Sequence, residues 1–549
     1  MTDFIPLLRK APFNLDDAAV LWVMRTKAGL TAPQKLGQLF VLLSRGLDPG
    51  GLDLLARVQP GGITRIFSGD RAAELGFMAQ AKATAQVPLL VSADLEGSRM
   101  SLPFGTEVPN PLALAAVDDV QASRSIVRIM AEEARAVGIN WTFTPVLDIN
   151  AAFRSPIVAT RGFGSSVEVI ERQALVQIAE FQANGVAATV KHWPGEGYDD
   201  RDQHLVTTIN PLGMAEWEAT FGRLYRAAIA AGVLSVMSAH IALPAFAGVE
   251  GVEAFRPASV SRALNVDLLR GRLGFNGLIV SDATPMAGFG AWGPRAVMVP
   301  ECIANGCDVV LFSDDIDADM GFVAAAIADG RISAERLDEA LTRILGLKAA
   351  LGLHLPQVVD PSRIGTAQNR AAARAVTARA PTLVKDVAGL MPLSLARHRR
   401  VLVVSGGIVL PFAPVPLPFE LPDMLRAEGF AVTLYAPGMA VSAADYDLMI
   451  YLFGEETLLT RGRIFLDWAE ITGHSGAAMQ RFWHEIPTVM ISFGYPYYLY
   501  DAPRVPAMIN AYATVPSMQA AVVDCLIGRA AFQGKSPVDA FCGLADARY

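Results

Sequence analysis

The chain has 549 residues, 52% of them hydrophobic and 18% charged, and a net charge of −8. That length exceeds one ordinary domain, and a disordered chain would not carry so much apolar material. The acidic balance, with no basic run to neutralise phosphates, excludes nucleic acid as a main partner, and no apolar run reaches the roughly 18–20 residues of a membrane span.

Met1-Thr2-Asp3-Phe4-Ile5-Pro6 lacks a charged segment followed by an apolar one, so a cytoplasmic location is expected. Four cysteines (Cys302, Cys307, Cys525, Cys542) are too few and too scattered for a disulfide framework or a metal site, and are expected to be reduced and mostly buried. No cofactor is expected, because neither a Walker-type loop nor a dinucleotide fingerprint is present. No Gly-x-Ser-x-Gly elbow points to a serine hydrolase.

In chain order, short apolar runs at 38–43, 62–67, 88–94, 141–148, 187–192, 234–240, 277–282 and 308–312 read as strands covered on both faces. Amphipathic segments such as 120–137, 166–183 and 212–231 separate them as helices. Eight strands alternating with helices predict an α/β fold, an N-terminal (β/α)8 TIM barrel, with a doubly wound open sheet as competitor. A helical stretch at 320–353 closes this unit, with Ser333 placed to cap a helix start. The barrel is therefore assigned to 1–353 and a Pro-marked linker to 354–370. The remainder, 371–549, shows runs at 401–404, 432–434, 448–452, 488–492 and 507–511, the pattern of a smaller three-layer α/β sandwich domain.

Polar groups gather at the carboxyl ends of the barrel strands. His192, His204 and His240 lie there, with Asp94, Asp148, Asp202 and Asp282, and Arg161 in a Gly-rich turn. In a barrel these ends meet around one mouth, so a single polar pocket is expected. Lys191-His192-Trp193-Pro194-Gly195-Glu196-Gly197 follows a buried-looking strand and leads to Asp202-Gln203-His204. An Asp-x-His step can set a carboxylate beside an imidazole, orienting the ring and raising its basicity; the competing reading is an ordinary solvated loop. Asp282 ends a stiff strand, well held to attack an electrophilic carbon, or alternatively to cap a helix. Lys191 and His192 suit a hydroxyl-binding pair, or an ion pair and a satisfied histidine. The residues alone thus point to a barrel enzyme for a hydroxyl-rich small molecule.

The chain resembles glycoside hydrolase family 3, in its β-N-acetylglucosaminidase branch. The 191–197 segment is similar to that branch's Lys-His-Phe-Pro-Gly-His-Gly, followed by its Asp-Ser-His. Asp94-Leu95-Glu96-Gly97-Ser98-Arg99, Arg161-Gly162-Phe163-Gly164, Met237-Ser238-Ala239-His240 and the 277–286 segment look like further family motifs, and 382–393 looks like the opening of its second domain. The resemblance implies a retaining glycosidase acting on a small glycoside or oligosaccharide through a glycosyl-aspartate intermediate. It implies Asp282 as nucleophile, His204 oriented by Asp202 as general acid/base, and Asp94, Arg161, Lys191 and His192 as sugar ligands. Three positions depart from the pattern: Glu196 replaces a histidine, Gln203 a serine, and Leu102 an arginine found in some members. Alternatives are a β-glucosidase-type hydrolase with Glu455, Glu456 or Glu470 as acid, a glycoside phosphorylase, and a catalytically silent sugar-binding protein.

Overall fold

The computed structural model describes residues 4–47, 49–411 and 413–549. Met1–Asp3, at the head of the segment read for a leader, lie outside the described residues. No described helix is long and apolar enough to cross a membrane.

Eight parallel strands close into a barrel: Phe40–Arg45, Gly62–Ile66, Leu90–Ala93, Trp141–Thr142, Ala187–Trp193, Ser235–Ser238, Leu278–Ala283 and Val309–Leu311. Each pairs with its sequence neighbours, and the first closes on the eighth through Phe40 opposite Val310. Every expected run overlaps one of these strands, and the closure excludes the open doubly wound sheet. The fifth strand is buried at all seven positions, as a strand between a filled interior and a helical ring must be. The fourth is shorter than the sequence suggested, because Pro145 has no N–H for the ladder; a lone bridge, Val146 to Lys191, continues the pairing.

Polar caps start the surrounding helices. Ser166 accepts from the Val169 N–H and Ser333 from the Arg336 N–H, the latter as expected. The segment expected as one helix at 212–231 is two, Met214–Ala219 and Phe221–Ala230, broken where Thr220 leaves helical geometry (φ −111°, ψ −94°). The closing stretch is likewise two helices, Ile316–Ala328 and Ala334–Ala350. Residues 354–370 hold a 3-10 turn at Pro361–Arg363 and the start of helix Ala367–Thr377.

The second unit is a six-stranded mixed sheet, ordered Thr382–Asp386, Ala507–Asn510, Thr488–Ser492, Leu448–Glu455, Arg400–Val409, Ala431–Leu434. Its four inner strands fall on expected runs, as does the Ala431–Leu434 edge. The other edge strand, Thr382–Asp386, runs antiparallel and was not anticipated. It is only partly buried and ends in Lys385-Asp386, so it lacks the continuous apolar signature of the others.

Helix Pro111–Val117, in the loop after the third barrel strand, inserts Leu112, Ala113 and Ala116 into the core of this second unit. Glu456 ties the same seam, accepting from Ser98 Oγ (2.7 Å), Asn110 Nδ2 (3.1 Å), and the Thr514 N–H (2.8 Å) and Oγ1 (2.7 Å). The sandwich unit thus rests on the loops at the carboxyl ends of the barrel strands, where the polar residues gather.

Candidate active site

The fifth strand supplies the floor. Lys191 and His192 are its penultimate residues, and both side chains are almost wholly buried. Lys191 Nζ reaches Asp94 Oδ1 (2.8 Å) and Glu96 Oε1 (2.7 Å), both beyond the third strand. Arg161 makes a bidentate bond to the same Glu96 carboxylate, 2.9 Å at each nitrogen. Burial alone would raise the Glu96 carboxyl, but the Arg161 and Lys191 charges win and hold it at about 2. Those acids in turn keep Lys191 above its ordinary value despite burial. Asp94 remains partly open, with 39% of its side chain exposed, so this cluster presents one accessible carboxylate on a fixed base of charge.

His192 Nδ1–H donates to Asp148 Oδ2 at 2.6 Å, and its main-chain N–H reaches the other oxygen at 3.1 Å. This fixes the tautomer and leaves Nε2, 3.5 Å from Arg161 Nη2, as the free ring nitrogen. Asp148, His192 and Glu196 bring three donor atoms within 4.8 Å of one another. The His192–Asp148 hydrogen bond already uses the ring nitrogen and carboxylate that a cation would need.

The loop 194–207 carries a second acid–histidine pair. His204 Nδ1–H donates to Asp202 Oδ1 at 2.6 Å, and the His204 N–H meets the same oxygen at 2.8 Å. The other Asp202 oxygen accepts the Thr460 N–H at 2.8 Å, a bond that comes from the sandwich unit. Burial raises the Asp202 carboxyl, yet its bonds to His204 bring it below the usual carboxylate range. The loop is pinned by a small two-stranded pairing, Thr208–Ile209 with Ile241–Ala242, which the sequence did not reveal. It is also held by the Ala287 N–H donating to the His204 carbonyl at 2.9 Å. Gly197 permits the loop's entry: its φ is +110°, and a Cβ there would lie 1.9 Å from the Ile149 carbonyl oxygen.

Asp282 is the last residue but one of the seventh strand. Its Oδ1 accepts the Ala283 N–H at 2.7 Å, while Oδ2 is buried with no hydrogen-bond partner. Burial pushes this carboxyl up, but His192, His240 and His204 bring it below its ordinary value, so it stays ionised. It does not cap a helix: the next one, Ala287–Gly290, begins after Met286 and has no side-chain cap. His240 is itself fully used, bonding Ser259 Oγ (2.9 Å) and the Ala283 carbonyl (3.0 Å) behind Asp282.

All seven expected site residues therefore sit at one end of the barrel, in two linked groups around Asp282. A cavity of about 750 Å³ lies beside them, lined by Phe153, Arg154, Tyr198, Asp200 and Tyr500 among others, and holds none of the seven.

The glycosyl hydrolase family 3 N-terminal domain matches residues 52–347. A β-N-acetylglucosaminidase/β-glucosidase of Cellulomonas fimi is 42% identical over 98% of this chain and 99% of its own. The chain belongs to glycosyl hydrolase family 3. It is a glycosidase by family and shares the two-unit architecture of its family 3 neighbours. A structure of the β-glucoside phosphorylase BglX bound to 2FGlc superposes with a TM-score of 0.92 at 33% identity, covering 99% of this chain and 100% of that one. A family 3 β-N-acetylglucosaminidase from Paenibacillus sp. str. FPU-7 gives 0.81 at 26% identity, covering 94% and 100%.

Within this family 3 fold, the sequence reading left Glu96, Asp148 and His240 without roles. The signal for Glu96 was its two-residue spacing from Asp94, which on an extended segment returns it to the same side. Asp148 was recognisable only as a strand-end acid. Of the rival acids, Glu456 is consumed by the seam between the units, Glu455 pairs with Tyr498 Oη, and Glu470 is exposed in the first turn of helix Trp468–Thr472. Leu102 is buried in the barrel's apolar core.

Proposed function

We propose that this family 3 enzyme releases a terminal β-linked N-acetylglucosamine-type sugar with retention of configuration. The observation that carries this reading is the Asp202–His204 pair, bonded at 2.6 Å, at the same mouth as an ionised Asp282 whose Oδ2 is unpartnered. Asp282 Oδ2 attacks the anomeric carbon, the glycosidic C–O bond breaks, and protonated His204 gives its Nε2 proton to the departing oxygen. Water then attacks the glycosyl-aspartate; His204 takes its proton, and the C1–Asp282 bond breaks. Asp202 orients the ring and stabilises its charged form. Asp94, Arg161, Lys191 and His192 bind hydroxyls, Asp94 as the exposed acceptor on a base fixed by Glu96. Catalysis belongs to 1–353 in this reading, 354–370 links, and 371–549 covers the mouth.

Aryl β-glycosides of N-acetylglucosamine and of glucose test it with wild type, Asp282→Ala and His204→Ala. Asp282→Ala should lose turnover, and His204→Ala should fall by about 10²–10⁴-fold on substrates with poor leaving groups. Equal turnover by wild type and Asp282→Ala would sink the assignment. Unchanged activity in His204→Ala, with loss on changing Glu455 or Glu470, would favour the glucosidase arrangement.

A second reading is favoured by one observation, the likeness to BglX over essentially the whole chain. In it a phosphate oxygen, not water, attacks the anomeric carbon of the glycosyl-aspartate, the C1–Asp282 bond breaks to return the carboxylate, and sugar 1-phosphate is released. A neutral imidazole repels an approaching phosphate less than a carboxylate would. Acceleration by millimolar phosphate, with sugar 1-phosphate as product, selects this reading; a phosphate-independent rate with free sugar selects hydrolysis.

A further inference from the structure

Glu196 lies between the two acid–histidine pairs and belongs to neither. Its main-chain N–H donates to Asp148 Oδ1 at 2.9 Å, on the carboxylate whose other oxygen holds His192 Nδ1. Its own Oε2 stands 3.7 Å from that same Nδ1, just beyond hydrogen-bond range. Oε2 also accepts from Gln203 Nε2 at 3.1 Å, and Gln203 Oε1 accepts the His240 N–H at 3.3 Å. Gln203 is the residue between Asp202 and His204, so Glu196 meets the first pair directly and the second only through this intervening amide. Its Oε1 is buried and unpartnered, and among the described residues no lysine or arginine forms an ion pair with it. The two residues thus form a bonded acid–amide pair between the two acid–histidine pairs.

We propose that Glu196 is a positioning residue whose neutral acid form holds the Gln203 amide and leaves the His192 Nδ1 proton to Asp148, and whose ionisation would make it a rival acceptor for that proton and so weaken sugar binding. The inference rests on the sugar-binding role proposed for His192. A neutral carboxylic acid is a poor acceptor beside a carboxylate, so at 3.7 Å it does not compete with Asp148 at 2.6 Å. A carboxylate in its place would compete.

The surroundings favour the neutral form. The groups facing Glu196 are Asp148 and Arg161 beyond the fourth strand, His192 on the fifth, Asp202 on its own loop and Asp282 on the seventh. Burial first, then the Asp148, Asp282 and Asp202 charges, push its carboxyl well above the usual range against the opposing charge of Arg161. The site thus holds a proton-dependent latch on sugar affinity, separate from the Asp202–His204 proton-transfer pair.

The test is the pH dependence of KM for the aryl glycoside in wild type, Glu196→Gln and His192→Ala. In wild type, KM should rise by up to about tenfold per pH unit once Glu196 ionises, as loss of one required proton dictates. Glu196→Gln should follow wild type at lower pH and lack that rise, because its amide cannot become a charged rival. Parallel KM profiles in wild type and Glu196→Gln overturn the inference. If His192→Ala leaves KM unchanged, the sugar-binding assignment has failed instead, which separates the two. Should Glu196→Gln not fold, the wild type still decides. The hydrogen-bonded His192 Nδ1–H resonance, assigned by its absence in His192→Ala, should shift with the same midpoint as KM, and a resonance constant across that range overturns the proposal.

Discussion

The charged floor of the site shows how a few buried residues are made mutually dependent. Glu96 pairs with Lys191 and Arg161 together, and both cations are almost wholly buried. Glu96→Gln leaves Arg161 without its ion partner and should cost about 3–5 kcal/mol, read as a lower urea midpoint. The pH sign follows from its depressed carboxyl. Stability from an acid held at about 2 is fully present above the ordinary Glu value and is lost as pH falls through 2. The gap between wild type and Glu96→Gln should therefore close as pH drops from about 4.5 towards 2. At this scale the sequence was legible where chemistry is local. Asp202-x-His204 predicts its own contact, since two residues of one loop suffice. Asp148 with His192 does not, because the partners sit 44 positions apart and only barrel closure joins them.

Among the elements, the barrel strands were readable and the loops were not. Burial on both faces writes a nearly continuous apolar run, and each barrel strand carries one. The pairing of Thr208–Ile209 with Ile241–Ala242 is two residues long on each side, too short for any periodicity. The break at Thr220 was hidden for a related reason: the apolar pattern continues across it, while the backbone turns. What the sequence did mark was Gly197, within a Pro-Gly-rich loop. Gly197→Ala adds a Cβ at φ +110° against the Ile149 carbonyl, where nothing flexible can yield. The loop must then move, and its Asp202 and His204 with it. Loss of turnover with a lowered Tm is the expected outcome; a fully active Gly197→Ala enzyme would show that the loop's path does not matter to function.

Across the whole molecule, two sheets of different topology share one seam, and Glu456 is its most connected side chain. Glu456→Ala strips acceptors from Ser98, Asn110 and Thr514 and should destabilise by about 1–3 kcal/mol for each donor left buried and unpaired. Hydrogen exchange should quicken first around residues 98–110 and 512–514, while the barrel strands stay protected. Faster exchange spread evenly over the chain would mean that the seam is not a separate unit of stability. The division into barrel and sandwich was visible from the Pro-marked linker and the second set of apolar runs, but the seam was not, since its contacts join residues more than 250 positions apart. The Thr460 amide gives that seam its significance. Every atom proposed to react belongs to the barrel, yet the carboxylate that steers the imidazole is gripped from the other sheet. A small separation of the halves would silence proton transfer while both cores remained folded. Turnover in this protein is thus a gauge of how closely its two halves are docked.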